Sequence, residues 1–237
     1  MILNLLIAFF IFLMSYLSFY FKKLSLHGAI WGGLLASCIY IGIGFTGLLL
    51  LGFFFFSASI VTSWKFDDKT KLGFAEKEQG RRNSSQVLAN GGIAGLCGLS
   101  GYLFSESEWL FELMLAGSLS AAIADTFASE LGVIYGKQHY QILTGKKGKR
   151  GDNGVISLEG TLAGVVGSLS LSAFFILMRG GGNHFYWIIL AGIAGNFIDS
   201  VLGAIFENSG LISNDVVNVL NTLSGALTIG ILYFTLS

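Results

Sequence analysis

The chain has 237 residues, of which 53% are hydrophobic and only 12% are charged. Soluble domains carry about 25% charged residues, so the composition excludes an ordinary water-soluble protein. The formal net charge is zero, which gives no reason to expect nucleic acid as a partner. Cys38 and Cys97 lie in apolar runs and lack the spacing of metal ligands.

Long apolar runs predict an all-α, polytopic bundle of membrane-spanning helices. A span needs about 20 mostly apolar residues, and eight segments approach this length. They are 1–21, 28–44, 46–63, 86–104, 109–134, 158–178, 185–206 and 216–235. The second and third are short and one could be re-entrant, which gives a range of six to eight spans. No linker separates a soluble part, so 1–237 is expected to form a single integral membrane domain.

The basic residues favour one set of loops. With the N-terminus outside, the loops 22–27, 64–85, 135–157 and 207–215 contain every Lys and Arg, including Lys77, except Arg179. Cytoplasmic loops are enriched in Lys and Arg. The pattern predicts that these loops are cytoplasmic and that the protein lies in a bacterial cytoplasmic membrane.

Glycine pairs at i,i+4 recur along the predicted helices, at Gly28/Gly32, Gly91/Gly95 and Gly160/Gly164. This small-xxx-small spacing lets membrane helices approach closely. It predicts close packing between helices of the chain, and it also allows a homodimer through the same faces.

Two aspartates lie inside predicted spans, where each costs about 2.5–3.5 kcal/mol. At the standard helical rise, Asp125 and Asp199 each lie about 5 Å to the cytoplasmic side of the midpoint of their span. Neighbouring carboxylates repel each other, so a proton, a cationic side chain or a divalent metal is implied. Carboxylate oxygens suit Mg²⁺, and Asp125 and Asp199 are the candidate metal ligands.

Other polar side chains share this half of the membrane. Arg82, Gln86 and Asn90 recur every four residues and therefore share one helix face, and Glu130 follows Asp125 by about one turn. The candidates for positioning a ligand are Gln86, Asn90, Ser129, Asn153, Glu159, Asn196 and Asn221. A single amide in a span is best interpreted as an interhelical hydrogen bond, worth about 0.6 kcal/mol. Two aspartates at the same depth, beside basic loops, are better interpreted as part of a functional site.

Two long loops place cations beside glycines. Residues 80–82 are Gly-Arg-Arg, and residues 145–151 read GKKGKRG. Backbone amides and ammonium groups in such loops bind phosphate oxygens, but topology setting and attraction to anionic lipid explain the same charges. The P-loop sequence GxxxxGK[ST] does not occur, and His139 is interpreted as a solvated loop histidine.

Four sequence blocks resemble those of one membrane family. They are GRRNSSQVLANGG (80–92), SAAIADTFASELGVIYGK (120–137), GDNGVISLEGTLAG (151–164) and GNFIDSVLGAIFE (195–207). In this order, over 80–207, they are similar to the transmembrane protein nineteen family, whose plant and cyanobacterial members are phytyl-phosphate kinases. The middle two blocks also resemble dolichol and phytol kinases and phosphatidate cytidylyltransferases, which use CTP. Ile156 replaces the lysine that those enzymes carry before the serine.

The resemblance implies phosphoryl transfer from CTP, or another nucleoside triphosphate, to an isoprenyl monophosphate taken from the membrane lipid, with Mg²⁺. It implies Asp125, Asp199 and Glu130 as catalytic residues, the two aspartates holding the metal. The residues implied to bind nucleotide or phosphate are Arg81, Arg82, Lys137, Lys147, Lys149, Arg150, Ser157, Gly160 and Thr161. Three alternatives stay open: a cytidylyltransferase acting on a lipid phosphate, an ion-coupled transporter, and a non-catalytic membrane protein.

Overall fold

The apolar runs form long helices along the chain. The computed structural model describes residues 2–74 and 80–236. Its helices are α1 (Ile2–Tyr20), α2 (Leu26–Ile43), α3 (Phe45–Ser63), α4 (Phe66–Leu72), α5 (Ser84–Leu103), α6 (Glu108–Tyr135), α7 (Leu158–Arg179), α8 (His184–Leu202) and α9 (Asn214–Leu236). A 3₁₀ turn (Ser105–Ser107) precedes α6, a π-helical turn (Gly203–Glu207) follows α8, and β1 (Tyr140–Gln141) pairs antiparallel with β2 (Val155–Ile156). The predicted all-α membrane bundle is confirmed.

Within the described ranges, seven helical stretches have the length and hydropathy of membrane spans. They are α1, α2, α3, 105–135, α7, 184–207 and α9. The predicted fourth span, α5, has 20 residues, but its glycines and amides lower its hydropathy, and it packs against α2, α6 and α9. Both α2 and α3 have the length and hydropathy of a membrane span, and they meet at Gly44, where φ is 75°. The count agrees with the predicted range.

The basic loops meet at one end of the bundle, called here the basic end and formed by 21–25, 64–74, 80–83, 136–157 and 203–213. The Arg82 N–H donates to the Lys23 carbonyl (3.0 Å), and the Trp64 indole N–H donates to the Tyr135 hydroxyl (2.9 Å). The Asn208 amide donates to the Asn153 carbonyl (3.0 Å). Lys77 lies outside the described residues. Which side of a membrane this end faces stays a prediction.

The opposite end has its own ion pair. Arg179 donates two hydrogen bonds of 2.7 Å to the carboxylate of Glu112. Glu112 itself is only 1% exposed. The Trp109 ring meets His184 edge-on at 5.3 Å. Because α6 and α8 both begin at this end, the two helices run in the same direction towards the basic end.

Helix α6 is the central helix, and glycines let its neighbours approach closely. A Cβ on Gly117 would lie 2.7 Å from the Gly225 carbonyl oxygen of α9, and one on Gly160 would lie 2.8 Å from the Ala128 carbonyl oxygen. Gly28 packs in the same way against the Arg82 carbonyl, and Gly91 and Gly95 pack against Leu35. The glycine faces considered for a homodimer therefore pack against helices of the same chain.

Candidate functional site

A cavity of about 430 Å³, called here the polar cavity, lies at the basic end between α5, α6, α7, α8, α9 and the loop 136–157. Its volume falls in the range of about 300–1,000 Å³ typical of small-molecule sites. Its polar lining residues are Arg82, Gln86, Asn90, Asp125, Thr126, Ser129, Glu130, His139, Asp152, Asn153, Ser157, Thr161, Asn196, Asp199, Ser200, Glu207, Asn214 and Asn218.

Asp125 and Asp199 lie side by side on the wall of the polar cavity. The parallel helices α6 and α8 are in contact one turn earlier, where Gly195 leaves no room for a Cβ beside Ala121. One turn further along each helix, the two carboxyl groups lie within hydrogen-bonding reach of each other. Both residues are half-buried. In the described structure, Asp199 Oδ1 is buried without a hydrogen-bond partner.

Two neighbouring carboxylates are a set of oxygen ligands that fits a divalent cation. Mg²⁺ is commonly held by one or two carboxylates, with substrate phosphates and waters completing its octahedron. Across residues 2–74 and 80–236, no group of three or more His, Cys, Asp or Glu side chains is arranged to hold a metal. The two carboxylates, including the unpaired Oδ1 of Asp199, supply too few ligands to hold a metal alone. They suit a metal whose remaining ligands come from a bound molecule.

Glu130 differs from the aspartate pair because it has a buried cationic partner. Lys69 of α4 is 1% exposed, and its ammonium group forms an ion pair with the Glu130 carboxylate. The same ammonium group donates to the carbonyls of Val61 (3.1 Å) and Thr62 (2.8 Å) at the end of α3. This ion pair neutralises Glu130 at the cavity wall, so Asp125 and Asp199 are better placed than Glu130 to meet a metal.

Helix α5 and the loop before it contribute three polar side chains to the polar cavity. Asn83 caps this helix, accepting from the Gln86 N–H (3.0 Å) while the Gln86 side chain accepts from the Asn83 N–H (3.0 Å). This capping box fixes the first turn. Gln86 and Asn90 then line the polar cavity from one face of α5, as their spacing predicts, whereas Arg82 lines it from the loop before the helix, so the prediction that Arg82 shares this helix face is wrong.

Helix α9 presents Asn218 to the polar cavity rather than Asn221. Asn221 is fully buried, packs against Gly195, and donates to the Ala121 carbonyl over 3.5 Å. Asn218 and Asn214 line the cavity in its place. The structure therefore assigns Asn221 to helix packing.

The N-terminus of α7 also opens into the polar cavity. Ser157 caps it by accepting from the Gly160 N–H (3.1 Å), and Gly160 and Thr161 line the cavity behind it. The Lys137 N–H donates to the Glu159 carboxylate (3.3 Å), which joins the end of α6 to the start of α7. A helix N-terminus attracts phosphate because its free N–H groups and its dipole favour anions.

Of the cations predicted to bind phosphate, Arg82 lines the polar cavity and the others lie around it. Arg81 donates to the Leu24 carbonyl (3.1 Å), and Arg150 donates to the Gly136 carbonyl (2.8 Å). Lys137, Lys147 and Lys149 are exposed at the surface of the basic end. They can contact a ligand only where it extends beyond the cavity.

The family of the chain follows from its sequence. Residues 9–226 match the family described as "Integral membrane protein DUF92". The chain belongs to this family of integral membrane proteins.

Relatives of this DUF92 protein occur in several organisms. The uncharacterized membrane protein sll0875 of Synechocystis sp. is 35% identical over 86% of this chain and 80% of its own length. Protein MJ0933 of Methanocaldococcus jannaschii is 34% identical over 81% of this chain and 79% of its own length. Protein VTE6, chloroplastic, of Arabidopsis thaliana is 33% identical over 78% of this chain and 57% of its own length. No solved structure matches the chain.

Several lining residues were missed by sequence reasoning. His139 was interpreted as solvated, but it is half-buried, lines the cavity, and its Nε2 is buried without a hydrogen-bond partner in the described structure. Glu207, on the π-helical turn, also lines the cavity, close to Asn153. No spacing marks His139 or Glu207, because these residues meet at the cavity only when the loop 136–157 packs against the turn 203–207.

Proposed function

We propose that this DUF92 protein transfers a phosphoryl group from CTP, or another nucleoside triphosphate, to an isoprenyl monophosphate in the polar cavity. The observation that carries the proposal is the side-by-side placement of Asp125 and Asp199 in a cavity at the basic end of a membrane bundle. Phosphoryl transfer requires positioning and neutralisation of phosphate charge more than covalent chemistry by the protein.

Each part of the cavity has a role in this proposal. Asp125 and Asp199 would hold Mg²⁺, which supplies charge neutralisation on the phosphate oxygens. Asn90 and Asn196 orient the phosphates by hydrogen bonding, and the free N–H groups at the N-terminus of α7 donate to an anionic oxygen. Arg82 approaches from the loop before α5 and contributes a fixed positive charge.

The acceptor class rests on the resemblance to phytyl-phosphate kinases. A chloroplastic relative, VTE6, agrees with the plant members of that group. An isoprenyl phosphate reaches the cavity from the bilayer, whereas a nucleotide reaches it from the aqueous side of the basic end.

The packing of α6 favours an enzyme over a transporter. The residues of α6 between Leu113 and Ala124 are almost all buried against neighbouring helices, and the α6 residues that line the polar cavity begin at Asp125. A transport path would have to continue through this packed half. The described residues that line the cavity lie in the half of the bundle nearer the basic end.

The test incubates purified protein with Mg²⁺, γ-labelled CTP and phytyl or geranylgeranyl monophosphate. Label in a lipid diphosphate supports the proposal, and it should be absent for Asp125→Asn but present for Asp68→Asn, a change at an exposed carboxylate of α4. Label transferred only from the α position would assign cytidylyl transfer instead. Absence of transfer from any nucleoside triphosphate to any prenyl phosphate would overturn the proposal.

A further inference from the structure

A second cavity lies on the other side of the α5 wall. This apolar cavity has a volume of about 420 Å³ and lies between α1, α2, α3 and α5. Aliphatic and aromatic side chains such as Phe10, Leu35 and Phe53 form most of its lining. Arg82, Gln86 and Asn90 line both this cavity and the polar cavity. One row of polar side chains therefore separates an apolar space from a polar one.

Arg82 is fixed at this boundary by its surroundings. Its backbone N–H donates to the Lys23 carbonyl (3.0 Å), and its carbonyl accepts from the Ser25 N–H (2.9 Å). Its guanidinium lies 5.6 Å from the centre of the Phe54 ring. Phe54 also lines the apolar cavity. A molecule with a hydrocarbon chain and a phosphate matches this junction of apolar wall and cation.

The apolar cavity continues towards the basic end through a side cleft between α1 and α3. The side cleft shares Met14, Phe56 and Ile60 with the apolar cavity, and its outer part is lined by Lys23 and Trp64. Lys and Trp side chains are typical of the level of lipid head groups. Helix α1 buries only Ile11 among its described residues, so this cleft lies at the lipid-facing edge of the bundle.

We infer that the apolar cavity holds the isoprenyl chain of the acceptor, whose phosphate reaches Arg82 and the polar cavity. The inference rests on the proposed function for the identity of the acceptor. The chain enters from the bilayer through the side cleft, with its head group beside Lys23 and its tail between α1 and α3. The cavity excludes water from the chain, while α5 keeps the phosphate facing the aspartate pair.

Gly52 allows the apolar cavity to be filled without disturbing the protein. It lines the cavity, and a Cβ built on it would meet no atom within 4 Å. Gly92→Leu is the matched control, because a Cβ there also meets nothing within 4 Å while Gly92 lines neither the polar nor the apolar cavity. Both substitutions add the same side chain to a helix.

The experiment measures binding without turnover. Protein in lipid nanodiscs is irradiated with a C20 isoprenyl monophosphate that carries a diazirine at the end of its chain, and the adducts are mapped by mass spectrometry. We expect saturable adducts on residues such as Phe53 and Phe54, removed by excess unlabelled geranylgeranyl phosphate. Gly52→Leu should lower this labelling by about tenfold or more, and Gly92→Leu should leave it within about twofold.

The outcomes separate this inference from the proposed function. Equal labelling of Gly52→Leu and the unsubstituted protein, or adducts spread over the lipid-facing surface, would overturn the inference even if phosphoryl transfer occurs. Labelling confined to the apolar cavity in a protein that transfers no phosphoryl group supports the inference and overturns the proposed function. If Gly52→Leu does not fold, Ser57→Leu on the same cavity wall provides the same comparison.

Discussion

The ammonium group of Lys69 and the carboxylate of Glu130 form a buried ion pair that joins α4 to α6. Lys69 has three donors, and the carbonyls of Val61 and Thr62 accept the other two. These carbonyls lie at the C-terminus of α3, where the helix dipole favours a cation. One lysine therefore fixes α3, α4 and α6 relative to one another beside the polar cavity.

Lys69→Met should lower the free energy of unfolding by about 3–5 kcal/mol, because it leaves Glu130 buried without its cation. Thermal unfolding in detergent measures the effect. Lys71→Met, at an exposed position of the same helix, should unfold like the unsubstituted protein. Lys69→Met combined with Glu130→Gln should recover part of the loss, since no carboxylate is then left unpaired. Equal unfolding temperatures for Lys69→Met and Lys71→Met would contradict this account.

Asp125→Asn and Asp199→Asn should each lower phosphoryl transfer by about 100-fold or more, the size expected when a group that stabilises transition-state charge is removed. Neither should lower the unfolding temperature, because each relieves the repulsion between neighbouring carboxylates. Transfer by the unsubstituted protein should stop in EDTA and return with excess Mg²⁺. If Asp199→Asn is folded and transfers the phosphoryl group at the normal rate, the aspartate pair does not take part in the mechanism.

The sequence predicts the aspartate pair because the depth of each residue in the membrane follows from its position along a single helix. Span boundaries and the rise per residue place Asp125 and Asp199 at the same depth, and the small residues one turn earlier, Ala121 and Gly195, bring their helices into contact. The same periodicity places Gln86 and Asn90 on one face of α5, whereas Arg82, predicted on that face, lies before the helix. Properties of a single helix therefore account for much of the cavity.

Other parts of the site depend on tertiary contacts that local patterns do not record. Helix α4 begins at Phe66 in a charged segment without an apolar run, so the burial of Lys69 follows only from its packing beside α3 and α6. Asn218 and Asn221 are one turn apart, and the contact of Gly117 with Gly225 sets the rotation of α9 that directs Asn218 into the cavity. A pattern on one helix cannot determine that rotation.

Gly195→Ala should lower the free energy of unfolding by about 1–3 kcal/mol, the cost of an added methyl group in a packed interior. The new Cβ would lie 2.6 Å from Asn221 Oδ1 and would also overlap Ala121. Because Asp199 is one turn further along α8, phosphoryl transfer should fall together with stability. Gly92→Ala is the control, since open space surrounds that position and alanine favours a helix. A Gly195→Ala protein as stable as Gly92→Ala would show that the α6–α8 contact is loose.

The double substitution Lys147→Gln and Lys149→Gln tests the role of the basic loop. Both lysines are exposed, so the unfolding temperature should not change. If the loop contacts the nucleotide beyond the cavity, KM for CTP should rise by about fivefold, and the difference should shrink at high salt because exposed charges are screened. Lys22→Gln with Lys71→Gln removes the same charge from other exposed positions and should leave KM unchanged. If both double variants lose only binding to anionic vesicles, with KM for CTP unaltered, the loop charges serve attraction to lipid instead.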